Sequence, residues 1–343
     1  MELTLTRPDD GHLHLRDGGV LPDLVQQAAR TFKRAIIMPN LTPPITTTDL
    51  ARAYRARIQA VGTDLEPLMT LYLTETMPPA EIQRAVESGI VQGVKLYPAG
   101  ATTNSEAGVR DLTKVYPVLA AMEAADLPLL VHGEVVRPEV DIFDRERIFL
   151  EEQLHPLLCR FPQLRVVLEH ATTREAVDFV REAPGRMACT LTAHHLLLNR
   201  NDFLVGGIRP HYYCLPVLKR EVHRLALVEA ATSGDPRFFL GTDSAPHAQD
   251  RKETACGCAG VYTAPLALEL YTEVFERAGA LAKLEAFASF HGADFYGLPR
   301  NQTQITLTRT PWTVPLTYPL STGVVVPLRA GEILNWQVKE QGD

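Results

Sequence analysis

Short apolar runs recur along this chain, and none is long enough to be a helix. They occupy residues 34–38 (RAIIM), 67–73 (PLMTLYL), 93–96 (GVKL), 127–131 (LPLLV), 164–168 (LRVVL), 187–191 (MACTL) and 238–240 (FFL). They are rich in aliphatic and β-branched residues, as strands buried on both faces are. A first strand before or at residues 11–15 makes eight. Between the runs, apolar residues fall at helical spacing over 21–32, 112–125, 146–160, 173–183, 219–232 and 264–278. Thr47 or Thr48 is placed to cap a helix reaching Val61, and another helix is expected over 79–88. Strands that alternate with helices are parallel and joined by crossovers. Eight such units predict an α/β protein, a (β/α)8 barrel.

Several polar residues cluster at the C-terminal ends of these runs, where barrel enzymes build their sites. His12 and His14 stand two apart in DGHLHLRDG, so a strand would turn both imidazoles to one side. Lys95 ends the fourth run nearly, His132 follows the fifth, His170 the sixth, and Asp243 the eighth. Each alone has a plainer explanation: a core histidine, a helix cap, an ion-pair partner. Together at one face they predict a metal site. The small polar stretch 100–108 (GATTNSEAG) reads as a mobile loop.

The segments DGHLHLRDG, MPNLTPP, GVKLYPAGATTNS, LLVHGEV, LEHATT and GTDSAPH resemble, in order, the motifs of the dihydroorotases. These belong to the amidohydrolase superfamily, and the likeness is to the short, single-function bacterial type. It spans roughly residues 9 to 297. The pair of histidines is shared across the superfamily. The PN after the second run, the ATTNS loop and CGCAG at 256–260 are more specific.

The resemblance implies a zinc enzyme that reversibly hydrolyses L-dihydroorotate to N-carbamoyl-L-aspartate, the ring-closing reaction of pyrimidine biosynthesis. It implies two zinc ions per subunit. His12, His14 and Asp243 would hold one, and His132 and His170 the other. Lys95 would bridge them after carboxylation, because an ammonium group has three donors and no lone pair. A metal-bridging hydroxide would attack the ring amide, with Asp243 shuttling the proton. Arg16, Asn40 and His247 would meet the substrate carboxylate. Thr102 and Thr103 would reach it from the loop, and Leu215, Ala259 and Gly260 through the main chain. The family also implies a homodimer.

Two features are set aside. Cys256 and Cys258 lack the CxxC spacing of a redox or zinc site, and His194–His195 is expected either to support the ligands from behind or to be structural. Among rivals, a hydantoinase, dihydropyrimidinase or allantoinase shares the metal set but does not need Arg16 with Asn40 and His247. A non-catalytic metal-binding scaffold would be marked by loss of a ligand or of Asp243, and all six positions are filled.

Composition bounds the remainder. At about 150 residues per domain, 343 residues suggest two domains, but one barrel with a tail fits equally well. We expect a barrel over residues 1–297 and a Thr-, Pro- and Val-rich extension over 298–343 packed on it. The charge count, 34 Lys+Arg against 41 Asp+Glu, argues against a nucleic-acid surface. No apolar run approaches the roughly 20 residues of a membrane span. The opening MELTLTRPDDGH has neither the basic flank nor the apolar core of a secretory signal, so a cytoplasmic protein is expected.

Overall fold

The computed structural model describes residues 1–183 and 186–339. A strand that the sequence reading did not anticipate, β1 (Glu2–Thr6), lies outside the barrel. The barrel strands follow: β2 (Asp9–Leu13), β3 (Arg34–Ile37), β4 (Glu66–Tyr72) and β5 (Val91–Leu96). Then come β6 (Leu129–His132), β7 (Val166–Glu169), β8 (Met187–Leu191) and β9 (Phe238–Leu240). Each pairs in parallel with the next, so spatial order equals chain order. The seven runs named from sequence all fall on strands, within three residues at each end.

The barrel closes where β9 comes back beside β2. Asp243 N donates to His12 O at 2.8 Å, and His14 N donates to Ser244 O at 3.2 Å. Buried Asp10 clamps the seam, accepting from His12 N (3.0 Å), Thr242 N (2.8 Å) and Thr242 Oγ1 (2.5 Å). Burial pushes its carboxyl up to about 7, against those hydrogen bonds.

The period of two in each strand divides its residues between two cores. Leu129 and Val131 join the outer core under the helices, as do Val166 and Leu168. Ile36, Met38, Leu68, Leu130, Val167, Ala188 and Phe239 form a separate interior cluster. Tyr296, at the end of helix His291–Tyr296, joins that cluster from below. The next inward residue up each strand is then polar: His132 above Leu130, Glu169 above Val167, Thr190 above Ala188. The fold delivers chemistry to the upper end because the lower positions are spent on packing.

The helices cap as their sequences suggest. Thr47 Oγ1 accepts from Leu50 N ahead of helix Thr48–Gln59, and Thr173 Oγ1 accepts from Ala176 N ahead of Arg174–Glu182. The expected helix over 146–160 is interrupted. It runs as Arg145–Phe149, a π segment Leu150–Leu154, and His155–Arg160. Pro156 has no N–H to return to residue 152, and the wider turn absorbs the gap.

Beyond the barrel, β10 (Gln304–Thr308) pairs antiparallel with β1, in register Leu3 with Leu307. Gln337–Val338 adds a third strand. Trp336 beside it is fully buried, and its Nε1 donates to Glu276 Oε2 at 3.1 Å. No helix among the described residues is long and apolar enough to cross a membrane.

Candidate active site

Four imidazoles form a row at the upper end of the barrel. Ring centroids are 5.1 Å apart for His14 and His12, 5.0 Å for His12 and His170, and 4.8 Å for His170 and His132. All four are buried. Asp243 reaches the His14 end, its Oδ1 at 3.1 Å from His14 Nε2 and 3.3 Å from His12 Nε2. The two Nε2 atoms are 3.2 Å apart.

These atoms fit a metal ion. A tetrahedral site with bonds of 2.0–2.1 Å has ligand–ligand edges of about 3.3 Å, the separation found here. The second nitrogen of three of the rings is already engaged. His12 Nδ1 donates to Glu169 Oε2 (2.8 Å), His14 Nδ1 to Asn40 Oδ1 (2.9 Å), and His132 Nε2 to Glu134 Oε2 (2.7 Å). That leaves the facing nitrogens as lone-pair donors, the arrangement that outer carboxylates impose on metal-binding histidines. Burial pulls His14 down to about 4 and His170 well below its usual value, so both are neutral.

Lys95 lies in the barrel interior with no surface exposed, and its Nζ has no hydrogen-bond partner among the described residues. The ring of Tyr97 is 5.1 Å away. Desolvation draws the amine down to about 8. A buried, unpartnered ammonium is costly, and a group that reacts or coordinates removes that cost.

Both His170 (φ 42°) and Asp243 (φ 46°) hold left-handed backbone conformations. Such strain costs of order 1–3 kcal/mol per residue and gathers at functional sites. It turns each side chain back across the barrel mouth just beyond its strand. His170 is locked there by its own N–H, which donates to Thr190 Oγ1 at 2.7 Å; that hydroxyl donates to Glu169 Oε2 at 2.6 Å.

Beside the row lies a narrow pocket at the strand ends. Arg16, Asn40, Thr102, Thr103, Leu215, Ala259 and Gly260 line it with the histidines and Asp243. Gly260 is required: its φ is 149°, and a Cβ would stand 2.4 Å from Ala245 O. Arg16 Nε donates to Pro246 O at 3.1 Å, and its Nη2 lies 3.0 Å from His247 Nε2. The same nitrogen is 3.0 Å from Ala259 O. One nitrogen cannot serve both, since it either carries a proton or accepts one. Burial drives His247 down to about 2, so it is neutral. With its Nε2–H given to Ala259 O, most of the Arg16 fork stays free for an anion.

The 100–108 loop lies over the pocket. Asn40 Nδ2 donates to Thr103 O (3.1 Å), Asn104 Nδ2 to Asn40 O (3.1 Å), and Thr103 Oγ1 to Ala259 O (3.4 Å). Asn40 therefore joins the loop to the His14 imidazole.

The structure thus brings together every residue named from sequence for the site. Sequence reasoning missed Glu134 and Glu169. Glu134 had a signal, since HGE at 132–134 repeats the spacing of two seen at His12 and His14. Glu169→Gln is expected to weaken metal binding by roughly 10–100-fold. Competition with a chelator, followed by metal analysis, checks this; unchanged affinity would relieve Glu169 of that role. His195 is bonded on both ring nitrogens, to Thr192 Oγ1 and Pro216 O.

Barrel, metal-ligand set and strand-end placement define a class, and comparison with known proteins agrees. The Amidohydrolase family model matches residues 10–311, and the chain belongs to that family. Within it the chain stands with the dihydroorotases. It is 64% identical over 341 residues to the dihydroorotase of Nitrosococcus oceani, covering 98% of this chain and 99% of that one. Among solved structures, a dihydroorotase from Campylobacter jejuni superposes with a TM-score of 0.90 at 36% identity, covering 99% and 98% of the two chains. A Saccharomyces cerevisiae dihydroorotase in complex with 5-fluoroorotic acid gives 0.91 at 34% identity, covering 98% of each.

Proposed function

We propose that this site interconverts L-dihydroorotate and N-carbamoyl-L-aspartate by opening and closing one ring amide. The observation that carries the reading is the pairing of two unlike halves in one pocket. One half is the row of histidines with Asp243 and unpartnered Lys95; the other is the free Arg16 fork beside Asn40 and His247. The identities to dihydroorotases support the substrate assignment over a cyclic amide without a carboxylate.

We assign His12, His14 and Asp243 to one divalent ion and His132 and His170 to a second, with carboxylated Lys95 between them. Imidazole and carboxylate donors suit zinc. When bound, such ions supply a water activated at neutral pH and an electrophile for the amide carbonyl.

Desolvation favours the neutral Lys95 amine, which adds carbon dioxide to give a carbamate and release a proton. The carbamate offers an oxygen to either side, which the amine cannot. Asp243 accepts the proton of the attacking water and returns it to the departing ring nitrogen. Its Oδ1 stands 3.3 and 3.1 Å from His12 Nε2 and His14 Nε2, within the same ligand set. Arg16 takes the substrate carboxylate as a bidentate fork, with Asn40 and His247 alongside. Leu215, Ala259 and Gly260 meet the ring through the main chain. Thr102 and Thr103 bring the loop over the bound molecule and exclude bulk water.

The direct test is turnover of L-dihydroorotate with and without chelator treatment. Activity on hydantoin but not on dihydroorotate would reverse the substrate assignment. Arg16→Met is expected to cut kcat/KM for dihydroorotate by roughly 10–150-fold, the value of a charge-assisted hydrogen bond. Hydrolysis of a ring lacking the carboxylate should change little. Equal damage to both would make Arg16 a structural residue. We further place the enzyme in the cytoplasm as a homodimer, and residues 298–343 as an extension of the 1–297 unit, whose β1 pairs with β10 of that extension outside the barrel. Light scattering in solution tests the dimer.

A further inference from the structure

Lys252 ends the short helix Gln249–Lys252, and only 3% of its surface is exposed. An ammonium group has three N–H donors, and here all three go to main-chain carbonyls. Nζ donates to Tyr213 O at 2.9 Å, Cys258 O at 2.9 Å and Gly260 O at 2.7 Å. The carbonyls come from two segments far apart in sequence. Tyr213 leads into Leu215, while Cys258 and Gly260 flank Ala259. Leu215, Ala259 and Gly260 all line the pocket.

The same two segments also touch directly, because Gly260 N donates to Tyr213 O at 2.9 Å. The turn before Ala259 is pressed onto the helix that carries Lys252. Cys258 N donates to Arg251 O at 3.2 Å, and a Cβ on Gly257 would stand 2.5 Å from Lys252 O. Lysine at this depth loses its hydration, so its three bonds have to be made within the protein. Without the ammonium, Cys258 O and Gly260 O lose this donor, and Tyr213 O keeps only the Gly260 N–H.

We propose that Lys252 is a positioning residue for substrate recognition, fixing the 213–215 and 258–260 segments as one wall of the pocket. The inference rests on the reading of Leu215, Ala259 and Gly260 as main-chain contacts to substrate. Lys252 serves the half of the site that grips the ring, and makes no hydrogen bond to Asp243 or the histidine row. Its removal therefore acts on binding and spares the chemical step.

The test uses metal-loaded Lys252→Met, which keeps the chain length and deletes the three donors. KM for dihydroorotate is expected to rise at least about tenfold, with kcat within about threefold of the parent enzyme. Metal content and near-UV circular dichroism should match the parent. Gly257→Ala is the second variant. It keeps the lysine but pushes the turn off the helix, and the same rise confined to KM is expected. A folded Lys252→Met enzyme with unchanged KM, or with kcat falling as far as KM rises, overturns the proposal. Should Lys252→Met fail to fold, an unchanged KM in Gly257→Ala overturns it alone. A parent enzyme unable to turn over dihydroorotate would instead remove the reading of the pocket, so the two failures are distinct.

Discussion

Asp243→Asn is expected to lower kcat by roughly 10²–10⁴-fold while the protein still binds metal. The side chain keeps its shape, and its Oδ1 can still face His12 Nε2 and His14 Nε2, 3.3 and 3.1 Å away. What it loses is basicity. An amide cannot take a proton from water and hand it to a ring nitrogen. The structure also argues against a merely structural role. Its Oδ1 is set within 3.3 Å of two imidazole nitrogens, at a backbone φ of 46° that only a fixed environment sustains. Steady-state kinetics beside metal analysis decides the matter. Near-parental turnover with full metal content would remove Asp243 as the proton carrier.

Lys95→Ala should have the other large effect. Losing an outer carboxylate already costs roughly 10–100-fold in metal affinity, so losing a bridging group should cost at least about 100-fold. Alanine leaves a space beneath the imidazole row, lined by Tyr97 and His132 among others. A small carboxylic acid added to the medium can occupy that space and supply two oxygens. Partial recovery of metal and activity with acetate or formate is expected. Two tightly held metals in the unsupplemented variant would contradict the carbamate bridge.

The barrel was legible because its strands are buried on both faces. Runs such as RAIIM and MACTL have no solvent side to dilute them, and each lies on a strand. The ligand set was legible because a strand's period of two is rigid: one inward residue packs, and the next faces the opening. The same rule applied to HGE would have exposed Glu134. Glu169 was harder, since it directly precedes His170 in sequence. Only the left-handed turn at His170, φ 42°, lets consecutive residues serve one site. The role of Lys252 depends on two loops meeting, which no local pattern announces. β1 escaped notice because ELTLT alternates plausibly but has no partner within reach. Its partner, Gln304–Thr308, lies about 300 residues downstream.

That last pairing sets a schedule for the chain. At about 5–20 residues per second, β1 leaves the ribosome roughly 15–60 s before the strand it needs has been made. His12 follows it by six residues, and the seam that seats His12 against Asp243 is also made from both halves of the sequence. The first histidines of the site are thus among the earliest residues synthesised and the last to be secured. During synthesis an unsatisfied strand edge precedes the metal ligands, and it stays open to wrong partners until β10, beyond the barrel, arrives.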